Sequence, residues 1–416
     1  MRRGTGDEMS ALVLRSAGLL GVSALVAVMA NCASNDEATA PPTQADAAIP
    51  AMTVDDADTQ DVNDASDAGC EGNTVDCPLV TSISCDDFEW CPEKTNHPQG
   101  LGLSSVWGSS ANDVWVAGAF GSVLHWDGKA WAAVPAPTHA SLRAIWGAGP
   151  GDIWVVSAPD QIFRSNGFVN GTAQWTSAVP VADMTGQTAV TTNAIWGSSP
   201  DKVWVGGAAT YAQHANGRWY ESGWQTTQID GGPGWATGID GSTFTTIRGI
   251  WGSGPDDVWI VGNKGQNGLP FGARIGGTNS VNGGPGVQEI DTQCLGALYG
   301  IWGSKAGDLW AVGDYGTIRH YTDESGQWIP VSSPTQENLR GVWGSSESDI
   351  WAVGEHATLI HWDGATWRTS SAAFAPGNRP SLTGVWGSGP NDVWAVGSGV
   401  VIHFTGPKAN AQGATP

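Results

Sequence analysis

Residues 385 to 397 read Val385-Trp386-Gly387-Ser388-Gly389-Pro390-Asn391-Asp392-Val393-Trp394-Ala395-Val396-Gly397, and the organisation of the chain follows from them. Val385-Trp386-Gly387 closes one strand. The next five residues carry the Gly, Pro, Asn and Asp that a tight turn needs, each for its own backbone reason. Val393 to Gly397 is then a second strand, apolar and partly β-branched. The stretch predicts a β-hairpin, and the same hairpin recurs along the chain.

Seven Trp-Gly pairs lead the copies: Trp107-Gly108, Trp146-Gly147, Trp196-Gly197, Trp251-Gly252, Trp302-Gly303, Trp343-Gly344 and Trp386-Gly387. A second Trp follows eight residues after each: Trp115, Trp154, Trp204, Trp259, Trp310, Trp351 and Trp394. The leading Trp residues are 39, 50, 55, 51, 41 and 43 residues apart, a period that fits four-stranded propeller blades. Segments such as Val123-Leu124-His125-Trp126-Asp127-Gly128 supply a third strand and a turn, and fourth strands are expected near Trp131, Trp175, Trp219, Trp328 and Trp367. The last copy ends at Phe404 without one. Phe88-Glu89-Trp90-Cys91-Pro92 precedes the first copy at a matching distance, so an N-terminal strand is expected to complete the last blade and leave no open edge. The fold class is all-β: a seven-bladed β-propeller over residues 86–405, with a tail from 406. Long Gly-rich insertions, Asp230 to Phe244 and Asn263 to Gly286, interrupt blades three and four.

Arginines followed by an apolar run from Ala17 to Ala30 have the layout of a signal peptide over residues 1–31. The run is shorter than the roughly 20 residues that span a bilayer. Val28-Met29-Ala30 fits signal peptidase I, whereas Met29-Ala30-Asn31-Cys32 resembles a bacterial lipobox with Cys32 as the lipidated residue. Residues 32–69 form an acidic tether with no basic side chain, too charged and too poor in apolar residues to fold, which suits a domain hung from a lipid anchor. Asp61, Asp64 and Asp67 recur at every third residue, out of step with a calcium loop. Cys70, Cys77, Cys85 and Cys91, within the segment 70–92, read as two disulfides of three possible connectivities pinning the strand around Trp90, with a zinc site as the rival. Cys294 is left over if Cys32 is lipidated; otherwise the six cysteines are even in number. The formal net charge of −22 makes nucleic-acid binding a poor prospect.

His125, His320, His361 and His403 each precede an aromatic residue in the third strand, and His214 falls at the equivalent place, so they read as scaffold bonding to the adjoining blade. Asp113, Asp152, Asp257, Asp308, Asp349 and Asp392 recur before the second strand, with Lys202 in the remaining copy, and are expected to bond turn N–H groups. Residues that break the repeat are more informative. Three positions before each leading Trp stand Ser104, Arg143, Asn193, Arg248, Tyr299, Arg340 and Thr383, at the start of the innermost strand. The loop after the second strand ends on the same face and varies as well, with Phe120, Asp160, Lys264, Tyr315 and His356. A variable face on a uniform scaffold is where ligands bind. The candidate ligand-binding residues are Arg143, Arg248, Arg340, Tyr299, Asn193, Phe120, Tyr315 and His356, the three Arg suiting a carboxylate or sulfate.

With their Trp-Gly-Ser and Asp-Val-Trp-Ala-Val-Gly motifs, the repeats between Trp90 and Phe404 resemble bacterial exported propellers found among myxobacteria-like lipoproteins, mostly without assigned activity. Asp363-Gly364-Ala365-Thr366-Trp367 and Asp127-Gly128-Lys129-Ala130-Trp131 are similar to the turns of Asp-box propellers. That group includes the sialidases, whose three-Arg clamp would correspond to the three Arg above. Sialidases have six blades and need a Tyr nucleophile with a Glu partner and an Asp acid, and neither Tyr299 nor Tyr315 has an assignable Glu. Glu355 and Glu337 are the main carboxylates on the face, too few for paired acid–base chemistry. The expected function is that of a monomeric, exported, lipid-anchored propeller at the outer membrane or cell surface, or else periplasmic or secreted. It would be a non-catalytic binding or scaffold module for a glycan, peptide or envelope protein, with no cofactor or metal. The alternative is a carbohydrate-active, glycosidase-like enzyme using the same face.

Overall fold

A computed structural model describes residues 83–408 except 96, 98–99, 159–160, 179–189, 201, 210–217, 224–235, 238–244, 265–267 and 276–286. By its internal contacts the chain divides into two units, Met1–Val62 and Asn63–Pro416, and every described residue belongs to the second. The expected signal peptide, Cys32, the tether, Cys70, Cys77 and His214 lie outside the described residues, as do Asp160 and most of the two insertions.

The described residues form seven four-stranded antiparallel sheets. Their first strands are Leu103–Ser110, Leu142–Gly149, Val190–Ser199, Thr245–Gly254, Leu298–Lys305, Leu339–Ser346 and Leu382–Gly389, which number the sheets one to seven. Each first strand turns back into its second so that the two Trp of a repeat face each other across the hairpin, as Trp107 faces Trp115 and Trp386 faces Trp394. The spacing of eight is therefore a register: a shift by one residue would turn every apolar side chain to the other face.

The hydrophobic cores lie between sheets. Trp115 of sheet one packs with Leu142, Ile145 and Ile153 of sheet two, and Trp394 of sheet seven packs with Leu103, Val106 and Val114 of sheet one. The Gly of each Trp-Gly pair is explained by the neighbour. A Cβ on Gly147 would come within 2.5 Å of the Trp107 ring, and one on Gly108 within 2.5 Å of the Trp386 ring. The same relation joins every successive pair of sheets, so the series of contacts returns to its start.

The strand Trp90–Pro92 pairs with Val401–Phe404 as the outer strand of sheet seven, as the incomplete last repeat predicts. Trp90 is fully buried, 5.0 Å from Trp351 of sheet six. Its backbone also bonds across to that side, donating to the Ser371 carbonyl and accepting from the Ala373 N–H. Cys85 and Cys91 form a disulfide at this strand, one of the possible pairings of the four cysteines.

Two assignments change. Trp219 lies in the third strand of sheet three, Arg218–Gly223, and the fourth strand is Ala236–Thr237. Trp204 faces Glu221 there, so the position assigned to His214 belongs to Glu221. The connection between Ala209 and Arg218 is longer than that between Gly118 and Val123, so counting along the repeat falls short. Within the second insertion, Asn263 and Lys264 end the second strand of sheet four, and Leu269–Ile275 is its third.

In sheets one, five, six and seven the recurrent Asp and His pair within their own sheet, which corrects both expected partners. Asp113 accepts from Ser109 Oγ at 2.6 Å and from Trp115 Nε1 at 2.9 Å, and lies 2.7 Å from His125 Nε2. His320, His361 and His403 each lie 2.6 Å from Asp308, Asp349 and Asp392 of their own sheets. Arg164 and Arg274 take the His position in sheets two and four, on Asp152 and Asp257. The His320, His361 and His403 rings stack on the second Trp, closest at His403 over Trp394, 3.6 Å between centroids. Two strands that run antiparallel bring the Asp and the His together although they are far apart in sequence. Asp127 and Asp363 close the Asp-box-like turns by accepting N–H bonds of 2.8 to 3.0 Å from the residues two and three positions on.

Candidate functional site

The seven residues three positions before the leading Trp share one structural cause. Each first strand carries a β-bulge there: the register skips between Leu103 and Ser105, and likewise at Arg143, Asn193, Arg248, Tyr299, Arg340 and Thr383. A bulge leaves one residue out of the ladder and re-aims its side chain. The residue that varies is thus the one freed from the repeat.

These side chains reach sideways from sheet to sheet. Ser104 Oγ donates to the Leu142 carbonyl at 2.5 Å, and Thr383 Oγ1 to the Leu103 carbonyl at 2.7 Å. Arg143 Nη1 donates to Asn193 Oδ1 at 3.3 Å, and Asn193 Nδ2 to the Ile247 carbonyl at 3.3 Å. Arg248 and Arg340 both lie over the Tyr299 ring, their guanidinium carbons 4.9 and 4.0 Å from its centroid. The three Arg differ in their contacts: Arg248 and Arg340 share Tyr299, while Arg143 bonds Asn193, whose amide reaches the carbonyl just before Arg248. Arg340 is further committed to Glu355, donating through Nε at 3.1 Å and through Nη2.

Electrostatics around Tyr299 follow from this packing. Burial, together with a bond to Asp314, raises the phenol's pKa above its ordinary value, against the opposing pull of Arg340. Burial alone would lower the pKa of Arg340, but its bonds to Glu355 and Tyr299 prevail and raise it. Glu355 is held below its ordinary value, first by the Arg340 bond. Its second oxygen accepts from Asn338 Nδ2 at 3.0 Å, and Asp314 accepts from the Ala297 N–H at 2.9 Å. Asp314 has no counterpart in the sequence reading. It precedes Tyr315 as Glu355 precedes His356, and that repeated position was its only signal.

The turns after the second strands supply a rim at the same end, because Gly118 pairs with Leu103 and Ala119 donates to the Gly102 carbonyl. Ala119–Gly121, Asp314–Gly316 and Glu355–Ala357 are short 3-10 turns whose central residues, Phe120, Tyr315 and His356, have φ of 53°, 56° and 52°. Non-glycine residues seldom adopt this left-handed backbone, and doing so costs roughly 1–2 kcal/mol each. Yet the rings gain no burial in return: Phe120 is 69% and Tyr315 77% exposed. His356 meets Glu337, with Nδ1 at 2.8 Å from Oε2. The Tyr315 N–H donates to Asn338 Oδ1 at 2.9 Å, which links this rim to Glu355 and Arg340.

Lys264 belongs to the second strand of sheet four and pairs with Glu289. At the opposite end of the first strands, a cleft of about 510 Å³ lies between sheets five and six, with Lys305 and Glu347 paired at 2.9 Å beside it. Its Asp308 and His320 belong to the structural network already described.

No family model matches the chain, and no curated protein matches it. Solved structures do. YCF48 bound to D1 peptide is similar at 13% identity and a TM-score of 0.56, over 78% of this chain and 99% of that one. YCF48 from Cyanidioschyzon merolae is similar at 16% identity and 0.54, over 76% and 98% of the two chains. A streptogramin B lyase is similar at 16% identity and 0.57, over 76% and 97%. These are β-propellers, and at such identities the likeness speaks to fold alone.

Proposed function

We propose that the chain is a seven-bladed propeller closed by its N-terminal strand and acting as a non-catalytic binding module. Its site is the face that carries the bulge residues and the aromatic rim. The seven sheets, the Trp386–Gly108 contact and the pairing of Trp90–Pro92 with Val401–Phe404 support the closed ring. In keeping with the N-terminal sequence, the module is exported and tethered through lipid on Cys32 at the envelope.

The observation that carries the binding reading is the rim. Phe120 and Tyr315 hold an unfavourable backbone and present their rings to solvent, an arrangement that a partner meeting those rings would use. Such platforms suit an extended peptide or glycan. A neighbour of the same fold that was solved with a peptide supports the peptide. Burial and the Asp314 bond raise the Tyr299 pKa, so the glycosidase alternative would need that carboxylate or another base to take the phenol's proton.

The test is a binding array of envelope-derived peptides and glycans probed with the mature chain, each retained spot being analysed for products. Binding without turnover is expected. Product formation would replace this reading with the enzymatic one, and an array with no retained spot would remove both.

A further inference from the structure

The bulge residues form an arc in which cations alternate with neutral groups: Arg143, Asn193, Arg248, Tyr299 and Arg340 in sheets two to six. Among the described residues, one of the three charges is balanced by a carboxylate. Arg340 has Glu355. Arg143 bonds a side-chain amide oxygen of Asn193, and Arg248 that of Asn263 at 2.8 Å; neither has an acidic partner among the described residues. Each guanidinium carries five N–H donors. Arg143 and Arg248 each donate once to a side chain here, so both keep donors for a ligand.

These two cations sit on a chain whose formal charge is −22, and beyond residue 83 acidic residues still outnumber basic ones. Such a background field repels polyanions, whereas a ligand with a single negative group can reach a local cationic site. The opposite part of the ring offers no such charge. Thr383 and Ser104 spend their hydroxyls on backbone carbonyls. The mouth is therefore polarised, with an anion-seeking arc on one side.

We propose that Arg143, Asn193 and Arg248 form a subsite for one carboxylate on an otherwise neutral peptide, the C-terminal carboxylate being the group that fits. This rests on the binding reading above and adds the chemistry of the ligand's end. Arg143 and Arg248 donate charge-assisted bonds to the carboxylate, while Asn193, already bonded to Arg143, fixes the orientation of that side chain. The rest of the peptide runs towards the aromatic rim. Arg340, neutralised by Glu355, supports the Tyr299 ring that stacks under Arg248.

The experiment uses peptides with neutral side chains, synthesised with either a free C-terminal carboxylate or a C-terminal amide, and an oligogalacturonate as the polyanionic sugar. Binding to the mature chain is measured by fluorescence anisotropy at fixed salt. The acid form is expected to bind about tenfold or more tightly than the amide, the size of one or two charge-assisted bonds. Arg143→Gln with Arg248→Gln should abolish that ratio while the amide still binds. Arg368→Gln, a change at an exposed side chain of an outer strand, should keep it. Should the double variant fail to fold, Arg143→Lys with Arg248→Lys is the second measurement, and the ratio should fall because a Lys lacks the planar fork. Equal binding of acid and amide by the wild type would overturn the subsite and leave the binding face intact. Tighter binding of the oligogalacturonate than of any peptide would overturn the peptide assignment.

Discussion

Arg340 places its guanidinium carbon 4.0 Å from the centre of the Tyr299 ring, and Arg248 approaches the same ring to 4.9 Å. One half-buried ring thus joins three successive sheets at the end where the candidate site lies. Both cations hold the ring, and the phenol oxygen adds bonds to Arg340 and Asp314. Tyr299→Phe, which keeps the ring, should cost about 1 kcal/mol, and Tyr299→Ala at least about 2 kcal/mol, the excess coming from two cation–π contacts and lost apolar area. Urea denaturation measures both. Equal losses would assign the role to the phenol's hydrogen bonds instead.

The contact between the Trp386 ring and Gly108 joins the last repeat to the first. Gly108→Ala puts a methyl group within 2.5 Å of that ring and should destabilise by roughly 1–3 kcal/mol through overpacking. Gly102→Ala, whose Cβ would meet nothing within 4 Å, should change stability by less than about 0.5 kcal/mol. The same denaturation series checks the pair, and equal effects would contradict the joined ring.

Trp90 is the wedge of the N-terminal strand, fully buried against Trp351 and Phe404. Trp90→Ala should cost about 3–5 kcal/mol. Removing the chain through Pro92 should leave the Val401–Phe404 edge open, and the shortened protein should self-associate through it. Light scattering of the truncated form tests this. A stable, monomeric product would mean that the strand is dispensable.

His403 differs from the other histidines of its repeat position in having a second carboxylate, Glu93, at 3.5 Å. Burial alone would lower its pKa, but Asp392 and Glu93 outweigh burial and raise it above 6.5. A raised folded pKa gives stability that is complete below the unfolded value and is lost as pH rises through the folded one. His403→Gln should therefore cost most below pH 6.5 and progressively less above it. Urea midpoints of wild type and variant across that range check the sign. A constant difference would contradict it.

The scaffold was legible in the sequence because its signals repeat. Trp-Gly pairs, the Asp before six of the seven second strands and the orphan strand at Trp90 all declare themselves by recurring or by failing to recur. Where an insertion breaks the count, as before Arg218, the reading slipped to His214 and Trp219. The site was legible only as positions. That Ser104 through Thr383 vary was visible, but the bulge that turns them out of the ladder is a property of paired backbones. Arg340 meeting Glu355, and Tyr299 meeting Asp314, each join residues of one sheet's first hairpin, yet nothing in the repeat marks them as partners. The left-handed backbone at Phe120 and Tyr315 was hidden for another reason: most residues adopting it are Gly or Asn, so an aromatic gives no cue.

That backbone offers the most direct test of the central claim, that the rim exists for binding. Phe120→Gly with Tyr315→Gly relieves φ values of 53° and 56° and removes two exposed rings. Denaturation and array binding of this double variant should be measured side by side with wild type. Stability equal to or above that of wild type, with binding reduced at least about tenfold, is the result the account predicts. Undiminished binding by a folded variant would contradict it and move the site away from this face.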